Sequence, residues 1–371
     1  MTAIPSRTED TTVEFLTEAL RSGGVIGGDT SVAEIEHEQI GVGVGIVGQL
    51  ARLSLRYAGE APGAPGNVVL KIPSEFPENR AIGNYFHFYE REGRFYREIG
   101  EKLSMRTPRC YWNHIDPDAD EYGLLLEDLG GWTSISQVAG AGPDRAAQAL
   151  GALASLHAAW WDGAGLDALD WMPRMDEPLV LSAGEQFRQA WDNFVALFGE
   201  ALPDGAVDLG ARIKEVWGDL TVSLLKMAPT TICHGDYRID NLLFDDAGPD
   251  RVAVLDWQIS YKGPAISDVA YLLSQSLSVD TRRAQEQALV QGWYYRVAAS
   301  LEGGSPAGID GYPFEEAWSQ YRRAVLGMAV YPVVAGGSMD PANERGRELV
   351  ALMAERVFLT CLQLGSEEFL D

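Results

Sequence analysis

The chain has 371 residues, 46% of them hydrophobic and 22% charged, enough apolar material for a full core and, at this length, for two domains or lobes. Its formal net charge of −25 repels phosphate backbones and anionic lipid, so neither nucleic acid nor a membrane is an expected partner. Three scattered cysteines, Cys110, Cys233 and Cys361, form no CxxC pair. MTAIPSRTEDTTVEF carries no basic-then-apolar leader, and the longest uncharged run, 324–339, contains Pro332 and is too short for a bilayer; these features lead us to expect a soluble cytoplasmic protein.

In chain order, residues 11–22 read as a short helix, with Thr11 or Thr12 as its cap, Val13, Leu16 and Leu20 on one face and Gly23-Gly24 as its stop. In QLARLSLRY, Leu53, Leu55 and Tyr57 alternate with Arg52, Ser54 and Arg56, the period of a strand. NVVLKI (67–72) is a second strand, bounded by APGAPG and Pro73. Residues 86–103 carry a helical charge pattern despite Gly93, and GLLLEDLGG (123–131) is an apolar strand entering a glycine break. The stretches 146–161, 183–198 and 207–227, and the region after 265, fit helical periods. The expected organisation is an α+β chain with an N-terminal helical segment (1–30), a β-rich part (31–127) and a mainly helical part (128–371).

One β insertion interrupts the helical part. TICHGDYRIDNLLFDDAGPDRVAVLDW (231–257) holds His234, Asp236, Asn241 and Asp256, in a chain with five histidines. LLF and RVAVLDW read as two strands joined by DDAGPD, a strong turn signal. A hairpin brings Asn241 and Asp256 to one end, where an amide oxygen and a carboxylate oxygen make hard ligands for Mg²⁺. Asp236, on the entering loop, can accept a proton from a hydroxyl. A base, two metal ligands and a phosphate clamp are what phosphoryl transfer requires, because its loose transition state is stabilised mainly by positioning and charge. Taken singly, His234 reads equally well as a core histidine and Asp236 as a turn residue; the ordered set is what carries the chemistry.

HGDYRIDN followed by VLDW resembles the catalytic loop and metal segment of the protein-kinase-like fold. The glycine after His234, and Gly263-Pro264-Ala265 with Asp268 beyond, resemble the aminoglycoside phosphotransferase and choline kinase-like families. The wording is closest to bacterial ecdysteroid-kinase-like and acyl-CoA-dehydrogenase-associated small-molecule kinases. The resemblance implies a two-lobed kinase-like fold, with a small β-rich N-lobe and a larger helical C-lobe holding catalytic loop and acceptor site. It implies ATP and Mg²⁺ as cofactors and a small-molecule hydroxyl as acceptor. By the same resemblance Asp236 is the catalytic base, Arg238 lies near the transferred phosphate, Asn241 and Asp256 hold Mg²⁺, His234 is structural, and Asp268 braces the loop.

Gly43-x-Gly45-x-x-Gly48 precedes a strand pattern rather than a helix, so it reads as a nucleotide lid and not a dinucleotide fingerprint; a ligand-free glycine turn is the alternative. Lys71 ends VVLK as the phosphate-contacting lysine of kinases does. Its expected acidic partner is Glu92, with Glu90 and Glu98 as alternatives. Backbone groups of Glu127 and Leu129 are the expected contacts of adenine. Trp257-Gln258 replaces the Phe-Gly of protein kinases, and no Ala-Pro-Glu segment follows, which argues against a regulated protein kinase. A catalytically silent nucleotide binder is the other alternative, although no catalytic position is degraded. Trp318, Tyr321 and Tyr331 are candidates for the acceptor wall. Acceptor identity and oligomeric state are not read from the sequence.

Overall fold

The computed structural model describes residues 3–41, 47–248, 251–301, 308–337, 339 and 344–371. By contacts the chain forms two units: Met1–Leu103 with Thr107–Trp132 and Val254–Ile259, and Ser104–Arg106 with Thr133–Ala253 and Ser260–Asp371. The architecture is α+β, as expected.

The first unit is built on an antiparallel sheet. Its elements are α1 (Val13–Ser22), β1 (Ser31–Ile40), β2 (Gly48–Ala58), β3 (Asn67–Pro73), α2 (Pro77–Tyr85), α3 (Phe88–Glu98), β4 (Cys110–Asp116) and β5 (Glu121–Glu127). The strand order is β1-β2-β3-β5-β4. Thr12 caps α1, its hydroxyl accepting from the Phe15 N–H at 3.2 Å, which satisfies one of the otherwise unpaired amides of the first turn. The period-2 pattern of β2 sends Ala51, Leu53 and Leu55 into the core. They meet Phe15, Leu16 and Leu20 of α1, Leu70 of β3 and Leu125 of β5, and Phe15 meets Trp112 edge to face at 5.3 Å.

Two elements depart from the sequence expectation. The helical stretch expected over 86–103 is shorter, starting at Phe88 after His87 in a left-handed conformation (φ 55°). A separate helix, α2, precedes it. Gly93 sits inside α3 because the helix crosses β4 closely; a Cβ there would lie 2.7 Å from the Ile115 side chain.

The second unit is mainly helical. It contains β6 (Thr133–Ser134), α4 (Pro143–Ala159), α5 (Pro178–Phe198), α6 (Ala206–Leu225), β7 (Thr230–Cys233), β8 (Leu242–Phe244), β9 (Val252–Val254), β10 (Tyr261–Pro264), α7 (Ile266–Ser276), α8 (Val279–Ser300), α9 (Phe314–Met328), α10 (Val330–Gly337) and α11 (Glu344–Leu364). The expected hairpin strands appear as β8 and β9, in a small sheet of order β6-β8-β9, while β7 pairs with β10. Every residue of α7 is buried, and α4, α9 and α11 pack against it, which makes it the axis of this unit. Among the described residues no helix is long and apolar enough to cross a membrane.

Candidate active site

In the first unit a lysine and two carboxylates meet. Lys71 lies on β3, and its Nζ is 2.7 Å from Glu92 Oε2 on α3 and 3.0 Å from Asp256 Oδ1. Glu92 is thus the partner of Lys71; Glu90 and Glu98 pair with Arg94 instead. Burial works against the charge on Lys71, but Asp256 and Glu92 outweigh it and hold the ammonium above its usual pKa. Burial, reinforced by Asp256, pushes the Glu92 carboxyl up, with Lys71 opposing. With all three ionised, the cluster carries one more negative charge than positive.

The segment bearing Asp256 is fixed by its neighbour. Trp257 is fully buried and stacks on Phe95 of α3, centroids 3.8 Å apart and planes 7° from parallel. Its Nε1–H donates to the Val254 carbonyl at 3.2 Å. Asp256 itself adopts φ 63°, a left-handed conformation that costs a residue with a Cβ on the order of 1–3 kcal/mol and persists only where surroundings enforce it. This strain turns the carboxylate out of the strand line and onto Lys71.

Other expected residues of this unit are less engaged. Gly48 opens β2, where a Cβ would lie 3.8 Å from Lys71 Cε. Gly43 and Gly45 lie outside the described residues. The Glu127 N–H donates to the Arg109 carbonyl at 2.8 Å, and the Leu129 carbonyl accepts from Trp132 N–H at 2.9 Å.

In the second unit β7 leads into a loop held from several sides. Asp268, in the first turn of α7, accepts the N–H of His234 at 2.7 Å and of Gly235 at 3.0 Å. Gly235 has φ 85°, a conformation at which a Cβ is strained, so the turn into Asp236 needs glycine. His234 is buried, and its Nδ1 accepts from the Asp236 N–H at 3.2 Å; it acts within the loop. The Asn241 amide donates from Nδ2 to Asp236 Oδ2 and to the Asp236 carbonyl, both at 2.9 Å. This orientation leaves the amide oxygen as the end that can accept a cation. Arg238 Nε lies 3.3 Å from Asp236 Oδ2. Asp236 is therefore an acceptor flanked by an amide and a guanidinium.

Several supports of this loop have no local sequence signal. Tyr331, on α10, donates to the Gly235 carbonyl at 2.6 Å. Its ring meets Tyr271 edge to face at 4.3 Å. Burial and then the Asp236 charge push the Tyr271 hydroxyl well above its usual pKa, so it stays a donor. His157, on α4, is wholly buried; its Nδ1 accepts from Trp293 Nε1–H at 3.2 Å, and its Nε2 stands 3.6 Å from Asp268 Oδ2. A histidine in the apolar stripe of α4 was the available signal. Of the aromatic candidates for the acceptor wall, Tyr321 is fully buried and bonded to Glu286, a core position, with Trp318 stacked on it. Tyr331 alone of the three reaches the loop.

Among the described residues no cluster of three or more His, Cys, Asp or Glu side chains is gathered for a metal. Mg²⁺ does not need one, since it is commonly held by one or two carboxylates together with substrate phosphates. The carboxylate of Asp256 and the amide oxygen of Asn241 are donors of the right chemistry.

The model of the phosphotransferase enzyme family, APH, matches residues 61–303. Acyl-CoA dehydrogenase family member 10 of Mus musculus is 31% identical over 148 residues, which is 37% of this chain and 14% of that protein. A probable acyl-CoA dehydrogenase of Arabidopsis thaliana is 24% identical over 278 residues, covering 70% of this chain and 33% of that protein. The chain thus spans a third or less of these two relatives. Among solved structures, a choline kinase from Cryptosporidium parvum aligns over 96% of both chains with a TM-score of 0.58 at 13% identity; at that identity it shows the fold, the kinase-like one expected from the motifs. The family model covers well over half of the sequence, and the chain belongs to the phosphotransferase enzyme family.

Proposed function

We propose that this chain is a small-molecule kinase, transferring the γ-phosphate of ATP to a hydroxyl with the help of Mg²⁺. The observation that carries the reading is the Asp236 carboxylate, held by the Asn241 amide in a loop clamped by Asp268. A general base must be fixed within reach of the proton it takes, and this loop is held by Asn241 within it, by Asp268 of α7 and by Tyr331 of α10.

In this reading Asp236 orients the acceptor hydroxyl and takes its proton as the oxygen bonds to phosphorus. Arg238 counters charge on the transferred group. Lys71, positioned by Glu92, contacts the nucleotide phosphates, and Gly43, Gly45 and Gly48 form the lid over them. Backbone groups of Glu127 and Leu129 meet the adenine. Asp256 and Asn241 hold Mg²⁺, which when bound neutralises the phosphate oxygens. The excess negative charge at Lys71, Glu92 and Asp256 suits a cation. The buried Trp257–Phe95 stack favours a permanently arranged segment over the movable one of a regulated protein kinase.

The test is transfer itself. Radiolabelled ATP and Mg²⁺ are incubated with a panel of aminoglycosides, choline-like amines, sugars, sterol-like alcohols and hydroxyacyl thioesters, with Asp236→Asn as the blank. Labelled product that vanishes in the variant supports the reading. ATP binding without transfer to any acceptor would favour a silent nucleotide binder.

A further inference from the structure

We infer that the acceptor is an alcohol with an uncharged, apolar body, and that this body sits in a cavity of the second unit beside the catalytic loop. The inference rests on the kinase reading above and names the substrate class of that site.

The cavity has a volume of about 110 Å³ and lies among α5, α6, α9 and α10. Trp217, Thr221, Tyr261, Met328 and Tyr331 contribute to its wall, and Leu181, 37% exposed, stands at its rim. Three features decide what it can hold. First, none of the residues lining it carries a charge; its polar groups are hydroxyls and one indole N–H. A polyamine or quaternary ammonium moved here would leave water without meeting a carboxylate, a heavy cost for a buried cation. Second, Trp217 is stacked on Phe187, centroids 5.0 Å apart and planes 21° from parallel, which fixes the indole as part of an apolar wall. Third, Met175 and Met328 line the cavity, and thioether side chains adapt to varied apolar shapes.

The cavity is also joined to the chemistry. Tyr331 forms part of its wall and donates to the carbonyl of Gly235, the residue before Asp236. On this proposal an alcohol whose body enters here presents its hydroxyl toward the loop. The volume is somewhat below the ~150 Å³ of a protein cavity that takes up benzene, so it holds a short alkyl chain or a branched group. The acceptor oxygen bonds to the γ-phosphorus, the bond from that phosphorus to the β-bridging oxygen breaks, ADP leaves, and the hydroxyl proton passes to Asp236.

The test has a binding arm and a turnover arm. Linear primary alcohols from butan-1-ol to octan-1-ol, together with choline and kanamycin, are measured for binding by saturation-transfer NMR and for phosphate transfer from Mg²⁺-ATP. The proteins are wild type, Ala183→Phe, which fills part of the cavity, and Met328→Ala, which enlarges it. The expected result is that kcat/KM rises about fourfold for each added methylene until the cavity is full. Ala183→Phe removes this rise while keeping Mg²⁺-ATP affinity, and Met328→Ala moves the optimum to longer chains. Higher kcat/KM for choline or kanamycin than for every neutral alcohol overturns the inference and leaves the kinase reading standing. So does alcohol binding that Ala183→Phe does not weaken, or alcohols that bind without being phosphorylated while another acceptor is. Absence of transfer to every class, with Mg²⁺-ATP bound, overturns both.

Discussion

Asn241 places its amide nitrogen 2.9 Å from Asp236 Oδ2 and 2.9 Å from the Asp236 carbonyl. One side chain thereby fixes both backbone and carboxylate of the residue assigned as base, and the amide oxygen is turned the other way. Asn241→Asp replaces two donated bonds with a carboxylate facing a carboxylate. It is expected to lower kcat by about 10²-fold or more, through misplacement of the base, and to lower the unfolding midpoint as well, because two donated bonds are lost and like charges meet. Steady-state kinetics beside thermal unfolding checks this; unchanged kcat removes Asn241 from the mechanism.

Lys71 sits between Glu92 and Asp256, so removing it leaves two carboxylates facing each other in a buried place. Lys71→Met is expected to weaken Mg²⁺-ATP binding and to destabilise the protein by about 3–5 kcal/mol, the usual result of breaking a buried pair from one side. Adding Glu92→Gln restores part of the stability and none of the nucleotide binding. Calorimetry of nucleotide binding and urea unfolding of both variants separate the two effects.

The stack of Trp257 on Phe95 joins the Asp256 segment to α3. Trp257→Ala should cost about 3–5 kcal/mol of stability. In a double-mutant cycle with Phe95→Ala the coupling should be about 0.5–1.5 kcal/mol. Coupling near zero would mean that the two rings are merely adjacent.

Burial holds the His157 pKa below its ordinary imidazole value, with Asp268 opposing. A depressed folded-state pKa means that the unfolded chain binds the proton more readily. Stability from this group is therefore fully present above about pH 6.5 and lost as pH falls below it, by at most about 1.4 kcal/mol per pH unit. Urea unfolding of wild type and His157→Gln between pH 8 and 5.5 should show the steeper acid loss in wild type. Equal slopes would remove His157 as the source.

What the sequence made legible was local. His234, Asp236 and Asn241 fall within eight residues, and the strand–turn–strand that follows is written in short-range turn chemistry, so this loop could be read directly. The alternation of β2 and the cap of α1 were legible for the same reason. The α2 helix was not, because PENRAIGNY buries only Gly83 and leaves Ile82 and Tyr85 exposed, giving no apolar stripe to detect. β4, with the mixed pattern CYWNHID, was missed likewise. The supports of this loop are long-range: Tyr331 is 96 residues from the carbonyl it holds, and His157 reaches Asp268 from another helix. Such pairs leave no periodic trace in one sequence. Equally, nothing in a linear reading shows that Val254–Ile259 clusters with the first unit; only the Lys71 and Phe95 contacts reveal it.

The most direct test of the account is Asp236→Asn, assayed in one preparation for Mg²⁺-ATP affinity and for single-turnover phosphate transfer to whichever alcohol the wild type accepts. The account predicts unchanged affinity and transfer reduced by at least about 10²-fold, the low end of what a positioned general base contributes. Transfer at the wild-type rate would contradict it and move the base elsewhere in the chain.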